Sequence, residues 1–308
     1  MRKLFGLTVA ALLALGCGVT EEEQETAAEP QVASTEEELA LMSDRWVTVR
    51  PDLRMCPSPR CGGHWVKDVN QPWARELYVR ALDFSVSGLT EEWQAKARAA
   101  AAGELVLLGR LGKPEMPFGT RVFLVKQAYR GLPGVTPAAG EQYLLTLPLN
   151  ILCVRAPCPT MRVQPLNLGG EVFAHGVRVQ RALLSFVDGE WVARVVQAHG
   201  AVVVGRLVPG DSKAPGGELL LDASQVFVRL PFYDFPCPLM RAIRPCPNGT
   251  VLVYERSADR CLFPVGCVRP GPCLAYFPVC APGYTLDSWP ARPNGCPAWA
   301  CDPTFTVQ

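Results

Sequence analysis

Residues 106–111 read VLLGRL, and residues 202–207 repeat this stretch as VVVGRL. Upstream of each copy, the dipeptide Glu-Trp stands at residues 92–93 and again at residues 190–191. Ordered matches of this kind, at offsets of 96 to 98 residues, indicate an internal duplication. A chain of 308 residues is long enough to fold as two such repeats and to bury a sizeable core.

The duplication includes a pair of cysteines separated by four residues. This Cys-x4-Cys motif occurs once in each repeat, as Cys56, Cys61, Cys153 and Cys158. An asparagine follows nine residues later in each repeat, at Asn70 and Asn167, and we interpret both as turn residues. In an oxidising compartment the simplest pairing is two local disulfides, each of which shapes a loop. The alternative, a single metal site made by both motifs, lacks nearby histidines.

Each repeat has the pattern of five strands and one helix. The first helix is predicted to start after Thr90 and to run through Ala102 because Gly103 then stops it. The second is predicted between Asp188 and Gly200. The predicted strands are, in the first repeat, residues 46–50, 64–70, 76–85, 104–111 and 121–130, and, in the second, residues 142–149, 161–167, 171–185, 201–208 and 218–229.

The order of these elements predicts the fold class. A helix between the third and fourth of five strands is the connectivity of the oligonucleotide- and oligosaccharide-binding barrel. We therefore expect a mainly β, α+β protein made of two tandem OB-like five-stranded barrels, followed by a disulfide-rich C-terminal segment. Other open barrels and α+β sandwiches have the same strand count. Trp93 and Trp191, each three residues past a helix cap, are expected to plug the core, and ligand stacking is the alternative.

The N-terminus has the pattern of an export signal. Residues 1–16 combine a short basic start with an apolar run that is too short to span a membrane. Residues 14–17, Ala-Leu-Gly-Cys, resemble a bacterial lipobox, and the resemblance implies that Cys17 carries the lipid anchor (palmitate among its acyl chains). The alternative is ordinary signal cleavage with loss of Cys17. Because no aspartate follows Cys17, the same resemblance favours the outer membrane, on either its periplasmic or its surface face.

Charge is divided unevenly along the chain. Residues 17–44 hold eight Glu, one Asp and no Lys or Arg, which is typical of a disordered acidic tether. From residue 45 onward the chain has 28 basic and 20 acidic side chains, although the whole sequence has a formal net charge of only +1. Residues 45–134 alone hold 14 basic and 8 acidic residues. The first repeat therefore carries most of the positive charge.

The basic residues of the first repeat cluster around its cysteine loop with aromatic residues interleaved, and these residues include Arg80 and Tyr78. The candidate ligand-binding residues are Arg54, Arg60, Trp65, Lys67, Trp73 and Arg75. Guanidinium and ammonium groups interleaved with aromatic rings suit an anionic polysaccharide or a single-stranded nucleic acid. The export signal argues for the polysaccharide and against nucleic acid. A structural role with an envelope protein as partner is the alternative.

The C-terminal part, residues 232–308, has the composition of a disulfide scaffold. It contains 13 Pro and eight cysteines, which are Cys237, Cys246, Cys261, Cys267, Cys273, Cys280, Cys296 and Cys301. Eight cysteines allow 105 pairings, so the sequence does not give the connectivity. The stretch at residues 273–301 resembles a small secreted inhibitor or adhesion module of the antistasin kind. This resemblance implies protease inhibition or protein binding as an alternative function.

No motif of enzymatic chemistry is present in the sequence. It has no G-x-S-x-G, no H-E-x-x-H, no phosphate-binding loop and no dinucleotide fingerprint. The three histidines, His64, His175 and His199, do not occupy equivalent positions in the two repeats. We therefore expect a protein that is not an enzyme and that has no cofactor and no metal site.

The motif of the first repeat resembles a family. Cys61-Gly62-Gly63 followed by His-Trp-Val, and then Val-Asn at residues 69–70, is similar to an uncharacterised domain family of myxobacterial exported lipoproteins. His64 stands where that family usually has Tyr. The resemblance implies an envelope lipoprotein but transfers no activity.

These observations predict five segments. They are a signal peptide at residues 1–16, an acidic tether at 17–44, repeats at 45–134 and 135–231, and a Cys-rich tail at 232–308. The expected function is that of a non-catalytic envelope lipoprotein that binds an anionic glycan. Oligomeric state does not follow from the sequence.

Overall fold

The computed structural model describes residues 43–57, 61–149, 151, 156–210, 218–233, 236–239 and 245–306. The signal sequence, Cys17 and all of the acidic tether except its last two residues lie outside the described residues. The predictions made for Arg60 and Cys153 lie outside them as well.

The first repeat contains six strands and one helix. They are β1 (Arg45–Pro51), β2 (His64–Asp68), β3 (Leu77–Val79), β4 (Ala81–Asp83), α1 (Glu91–Arg98), β5 (Leu105–Leu111) and β6 (Val122–Gly131).

The second repeat has the same order of elements. They are β7 (Gln142–Pro148), β8 (Met161–Pro165), β9 (Val172–Ala174), β10 (Gly176–Arg178), a 3-10 turn (Gln180–Ala182), α2 (Gly189–Ala198), β11 (Ala201–Pro209) and β12 (Leu219–Leu230). The duplication seen in the sequence is therefore also a duplication of structure.

The twelve strands of the two repeats belong to one sheet. Its order is β3-β2-β1-β5-β6-β12-β11-β7-β8-β9, so that β3 and β9 are the two ends, while β4 pairs with β6 and β10 with β12. Neighbours along this path are antiparallel, and the two side pairings are parallel. The prediction of two tandem five-stranded barrels is therefore wrong. The mainly β class with two helices is confirmed.

Two physical reasons explain this error. The strands β6 and β12, at 10 and 12 residues, are long enough to pair within their own repeats and also with each other. The predicted strand at residues 76–85 is in fact two short strands, because the backbone N–H of Arg80 bonds to the carbonyl of Arg121 and ends the pairing with β2. Each repeat thus contributes six strands to a shared sheet.

The junction between the repeats has local twofold symmetry. Arg130 of β6 lies opposite Val228 of β12, and these two positions are equivalent in the duplication. On one side Tyr129 faces Arg229, and on the other Gly131 faces Phe227. In the duplication Tyr129 corresponds to Phe227 and Gly131 corresponds to Arg229, so the two flanking pairs are related to each other by the symmetry. The pseudo-twofold axis therefore passes through the pair of Arg130 and Val228.

The two helices pack on the larger of the two cores. Trp93 of α1 and Trp191 of α2 are 5% and 1% exposed and belong to this core, so the core-plug interpretation is confirmed. The Asp188 side chain caps α2 by accepting from the N–H groups of Glu190 and Trp191 at 3.0 and 3.1 Å. The first helix ends at Arg98, four residues before Ala102, where the sequence predicted its end.

A smaller core lies between the repeats. Trp46 packs against Tyr129 with ring centroids 5.4 Å apart, and Tyr143 packs against Phe227 at 6.0 Å. These two aromatic pairs occupy equivalent positions in the two repeats. Tyr129 and Phe227 are buried and Trp46 and Tyr143 are partly buried, so the two repeats share an apolar contact at their junction.

The C-terminal part is itself two modules of one design. Each consists of a β-hairpin, which is β13 (Val251–Arg256) with β14 (Leu262–Val268) in the first module and β15 (Tyr284–Ala291) with β16 (Cys296–Pro303) in the second. The disulfides are Cys237–Cys261 and Cys246–Cys267 in the first module, and Cys273–Cys296 and Cys280–Cys301 in the second. In both, the first cysteine joins the third and the second joins the fourth.

Buried charged groups attach this Cys-rich part to the second repeat. The Arg256 guanidinium, only 4% exposed, donates to the Asp302 carboxylate at 2.5 Å within the Cys-rich part and lies 3.5 Å from the carboxylate of Asp188 in the second repeat. Arg260 lies over the Trp191 ring at 3.6 Å from its centroid. The N–H of Cys301 bonds to the carbonyl of Phe186 at 2.8 Å. These contacts fix the hairpins against α2 and the turn that precedes it.

Candidate binding site on the first repeat

One row of side chains crosses the first three strands of the sheet. Arg50 of β1 lies opposite Trp65 of β2, and Trp65 lies opposite Tyr78 of β3. The rings of Trp65 and Tyr78 meet edge to face, with centroids 5.6 Å apart. Because directly opposed residues project from the same face of a sheet, the three side chains form a continuous strip at its surface.

Two arginines lie over this strip. The guanidinium carbons of Arg50 and Arg54 are 5.3 and 5.0 Å from the centroid of the Trp65 ring, and Arg54 is also 5.5 Å from that of Tyr78. Distances below about 6 Å are those of cation–π interactions. We call Arg50, Arg54, Trp65 and Tyr78 the aromatic–cationic ledge.

A buried carboxylate holds the second arginine in place. Asp52, whose side chain is 1% exposed, accepts from Nε and Nη2 of Arg54 at 2.9 Å each, and from its backbone N–H at 3.2 Å. Hydrogen bonds from Arg54 and from the Trp65 side chain lower the pKa of Asp52 to about 2. The carboxylate is therefore ionised at neutral pH.

The other arginine has a partner at the surface. Arg50 pairs with Glu76, and their side chains are 46% and 38% exposed. The hydrogen bond from Arg50 lowers the pKa of Glu76. An exposed pair of this kind contributes little net free energy and is readily exchanged for another anion. Beside the ledge lies a cavity of about 470 Å³, lined by residues 50–54, Trp65 and Ala102.

The second repeat shows that the fold does not require the ledge. At the same register, Leu147 lies opposite Arg162, and Arg162 lies opposite Phe173. Leu149 and Ile151 stand where the first repeat has Asp52 and Arg54. Both repeats build the same three strands, but among the residues that the structure describes only the first repeat places two arginines on an aromatic pair there.

The predicted site residues do not all come together. Arg54 and Trp65 belong to the ledge, and Lys67 projects two residues further along β2 on the same face. Lys67 lines a separate groove of about 430 Å³ beside Asn70 at the junction of the repeats. Trp73 is 89% exposed in the turn after β2, and Arg75 is also exposed.

Two residues of this site, Arg50 and Asp52, were not predicted from the sequence. They complete the ledge and its support, together with Tyr78, which the sequence placed among the aromatic residues near the cysteine loop. The alternation of Arg50, Asp52 and Arg54 along one chain segment was a usable signal, because residues two apart project from the same face of an extended strand. Arg80, two residues past Tyr78, instead pairs with Glu115.

Disulfide bonds border the ledge and recur in the second repeat. Cys56 and Cys61 are bonded to each other, and Arg54 lies two residues before Cys56. Cys158 is also disulfide-bonded. The local disulfide predicted for the first repeat is thus confirmed, and all eight tail cysteines are paired with one another.

The three histidines have separate surroundings in the part of the chain that the structure describes. His64 is half-buried, and burial lowers its pKa. His175 accepts a hydrogen bond from the N–H of Leu219, and His199 packs on Phe232. Within the same described residues, no group of three or more His, Cys, Asp or Glu side chains is placed to hold a metal ion.

Comparisons with known proteins give a family model and one relative. Residues 45–182 match the model of a domain of unknown function, DUF6748. An uncharacterised protein of Dictyostelium discoideum is 27% identical over 256 residues, which are 81% of this chain and 84% of the relative. No solved structure matches the chain. The similarities are thus to a domain of unknown function and a distant relative, and they show neither a myxobacterial lineage nor the Cys-Gly-Gly motif.

The disulfides indicate where the protein works. Five complete bonds join described cysteines, and such bonds persist in extracellular or otherwise oxidising compartments. Among the described residues, no helix has the length and apolar character needed to cross a bilayer.

Proposed function

We propose that this protein is a non-catalytic extracellular binding module that recognises an anionic glycan through the aromatic–cationic ledge. The observation that carries the proposal is the stacking of Arg50 and Arg54 on the single ring of Trp65, at a register where the second repeat has Leu147 and Ile151. A difference confined to one of two structurally equivalent surfaces is what a binding function predicts.

The chemistry of the ledge suits an acidic sugar. The faces and edges of Trp65 and Tyr78 offer an apolar surface to the C–H groups of a sugar ring. A planar guanidinium binds carboxylate and sulfate groups in a bidentate manner, and Glu76, the ion-pair partner of Arg50, is exposed and exchangeable. The surplus of 14 basic over 8 acidic residues in the first repeat adds long-range attraction for a polyanion.

Binding of a sulfated glycan to the oxidised protein tests the proposal. We expect Trp65→Ala and Arg54→Gln each to weaken binding about tenfold or more, and binding to weaken as salt rises. Phe173→Ala and Arg162→Gln, at the equivalent row of the second repeat, are the matched controls and should leave affinity unchanged. Affinity that is independent of salt, or equal losses in both rows, would contradict the proposal.

We also propose that Cys17 anchors the protein to the outer membrane of a bacterium as a lipoprotein of the envelope. The resemblance of residues 14–17 to a lipobox supports this, together with the export signal and the oxidising location. Metabolic labelling with palmitate should mark the wild-type protein and not the Cys17→Ser variant. Equal labelling of both, or secretion of an unlabelled wild type, would overturn the anchor.

A protein-interaction role for the Cys-rich part is the second candidate. Between Cys273 and Cys280, which are both disulfide-bonded to β16, Leu274, Phe277 and Val279 are 88%, 76% and 90% exposed. A short apolar segment fixed at both ends suits a protein partner, including a protease that the module inhibits. Inhibition of a serine protease with an apolar specificity pocket, lost on Leu274→Ser and Phe277→Ser, would favour this role over the glycan.

A further inference from the structure

The groove beside Asn70 lies on the same face of the sheet as the ledge. Its lining includes Thr48 and Lys67, which are directly opposed on β1 and β2. Arg50 and Trp65, two residues further along the same strands, are the next opposed pair on this face. Residues two apart on a strand project from the same face, about 7 Å from each other. The ledge and the groove are therefore consecutive along β1 and β2.

Two cavities thus follow one another along this face. The cavity at the ledge has a volume of about 470 Å³, and the groove has a volume of about 430 Å³. They share no lining residue, and they meet at the step from the row of Trp65 to the row of Lys67. The distance along an extended strand from Trp65 to Val69, a buried residue of the groove, is about 13 Å. This span is longer than one sugar ring.

The groove has two walls that are fixed relative to each other. One wall comes from Thr48 and residues 67–72 of the first repeat, and the other comes from residues 140–143 of the second repeat. The Asn70 side chain bonds to the backbone N–H and carbonyl of Tyr143 and so holds the two walls together. A site whose walls are fixed before binding loses less conformational entropy when a ligand enters.

The lining of the groove is polar and carries a partly exposed cation, Lys67. Gln71 and Gln142 contribute amide groups, which both donate to and accept from sugar hydroxyl groups. The charge of Lys67 helps to lower the pKa of Glu76, but the carboxylate of Glu76 bonds to Arg50. The Lys67 ammonium is therefore placed to pair with an anionic group of a ligand.

The two carboxylates that line the groove have cations of their own. Asp68 pairs with Arg45 at 3.3 Å, and Glu141 pairs with Arg181 at 2.7 Å. These carboxylates are only 19% and 11% exposed. Because each acidic charge is balanced by its partner, Lys67 determines the net charge that a ligand meets in the groove.

The second repeat shows that the fold does not require this cation. Thr48 and Lys67 correspond in register to Leu145 and Gln164, which are opposed on β7 and β8. A neutral residue therefore fills the same place in the same strands. The cation in the groove, like the ledge, distinguishes the first repeat from the second.

From this arrangement we propose that the groove is a second subsite for the glycan, and that the ligand is an anionic polysaccharide or long oligosaccharide rather than a single acidic sugar. One sugar unit packs on the ledge, the chain follows β1 and β2, and a carboxylate or sulfate further along the chain pairs with Lys67. The inference rests on the proposed function, because it extends the same binding face.

Calorimetric titration of the full-length oxidised protein with a heparin-derived disaccharide and hexasaccharide tests this inference. The wild type should bind the hexasaccharide at least about tenfold more tightly than the disaccharide. Equal affinities for the two probes would overturn the second subsite but not the proposed function. If neither probe binds the wild type, or if Trp65→Ala weakens binding of neither, the proposed function is wrong and this inference falls with it.

Two variants locate the second subsite. Lys67→Gln copies the residue of the second repeat, and Gln71→Glu adds a negative charge to the groove; each should reduce the advantage of the hexasaccharide to about threefold or less. The matched controls should keep the wild-type advantage; they are Arg269→Gln, at an exposed cation of the Cys-rich part, and Leu168→Glu, in the equivalent turn of the second repeat. An advantage that survives both groove variants, while Trp65→Ala still weakens binding, would overturn the groove as a subsite and leave the ledge in place.

Discussion

The side chains of Asn70 and Asn167 each bind the backbone of the opposite repeat. Asn70 brackets Tyr143, accepting its N–H at Oδ1 and donating from Nδ2 to its carbonyl, both at 2.8 Å. Asn167 brackets Trp46 in the same way, at 2.8 and 2.7 Å. The two asparagines thus form one reciprocal clamp across the junction of the repeats.

The chemistry of the clamp requires asparagine. Each Nδ2 also donates to a second carbonyl, that of Leu166 from Asn70 at 2.8 Å and that of Val69 from Asn167 at 3.1 Å. An aspartate could not donate these bonds. Both residues have a left-handed backbone, with φ of 59° and 56°, which asparagine tolerates better than most residues.

Removing one half of the clamp should destabilise the whole protein. We expect Asn70→Ala to lower the free energy of unfolding by about 1–3 kcal/mol, because it leaves backbone groups of the second repeat without partners. Asn70→Gly should cost somewhat less, since glycine adopts positive φ without strain. Urea denaturation measures both. Asn248→Ala, in an exposed turn, is the control and should change stability by less than about 0.5 kcal/mol.

Acid should disrupt the ledge only at very low pH. The pKa of Asp52 is lowered from an ordinary value of 3.8 to about 2 in the folded protein. The stabilisation that ionised Asp52 gives the folded state is therefore complete above pH 3.8, and it disappears as the pH falls to about 2. The wild type should therefore be more stable than Asp52→Asn at pH 5, and this advantage should vanish between about pH 4 and pH 2. Urea midpoints of both proteins across this range measure the effect. An advantage that disappears near pH 6 would show that another group is responsible.

The sequence predicts local features of this fold better than its long-range pairings. The duplication, the two helices and the cap at Asp188 follow from patterns within a few residues. The pairing of Arg130 with Val228 joins strands 98 residues apart, and no local pattern distinguishes it from closure within one repeat. A shared sheet is therefore the feature that sequence reasoning missed.

The same limit applied to the candidate site. Arg54 and Trp65 were predicted from charge and aromatic density, and they do meet. Trp73 and Arg75 were included because they are near in sequence, but the turn after β2 leaves both exposed. The role of Arg50 depends on the register between β1 and β2, which the length of the cysteine loop sets and which composition cannot reveal.

The disulfides should differ in their contributions to stability. Cys273 and Cys296 are 23 residues apart, whereas Cys56 and Cys61 are five apart. Chain entropy then predicts losses of about 3 and about 2 kcal/mol when each pair is replaced by serine. Denaturation of the two double variants makes the comparison, and a greater loss from the short ring would contradict the entropic account.

Peptide mapping without reduction should recover the same pairing order in both tail modules.

Packing of the two C-terminal hairpins on each other should depend on the charge of Arg256. Its removal leaves Asp302, which is 7% exposed, with the longer ion pair to Arg260 at 3.4 Å, so Arg256→Met should cost about 3 kcal/mol, the lower end for a broken buried pair. Arg269→Met, at an exposed position before the second module, is the control and should cost less than about 0.5 kcal/mol.

A double variant separates buried charge from simple loss of packing at this junction. If the cost of Arg256→Met comes from the Asp302 carboxylate, which then keeps Arg260 at 3.4 Å as its described ion-pair partner, adding Asp302→Leu should restore part of the lost stability, because an apolar pair of similar volume can replace a buried ion pair. Urea denaturation of the four proteins in the cycle gives the coupling free energy. Additive losses would instead mean that Arg256 acts through its packing against Trp289.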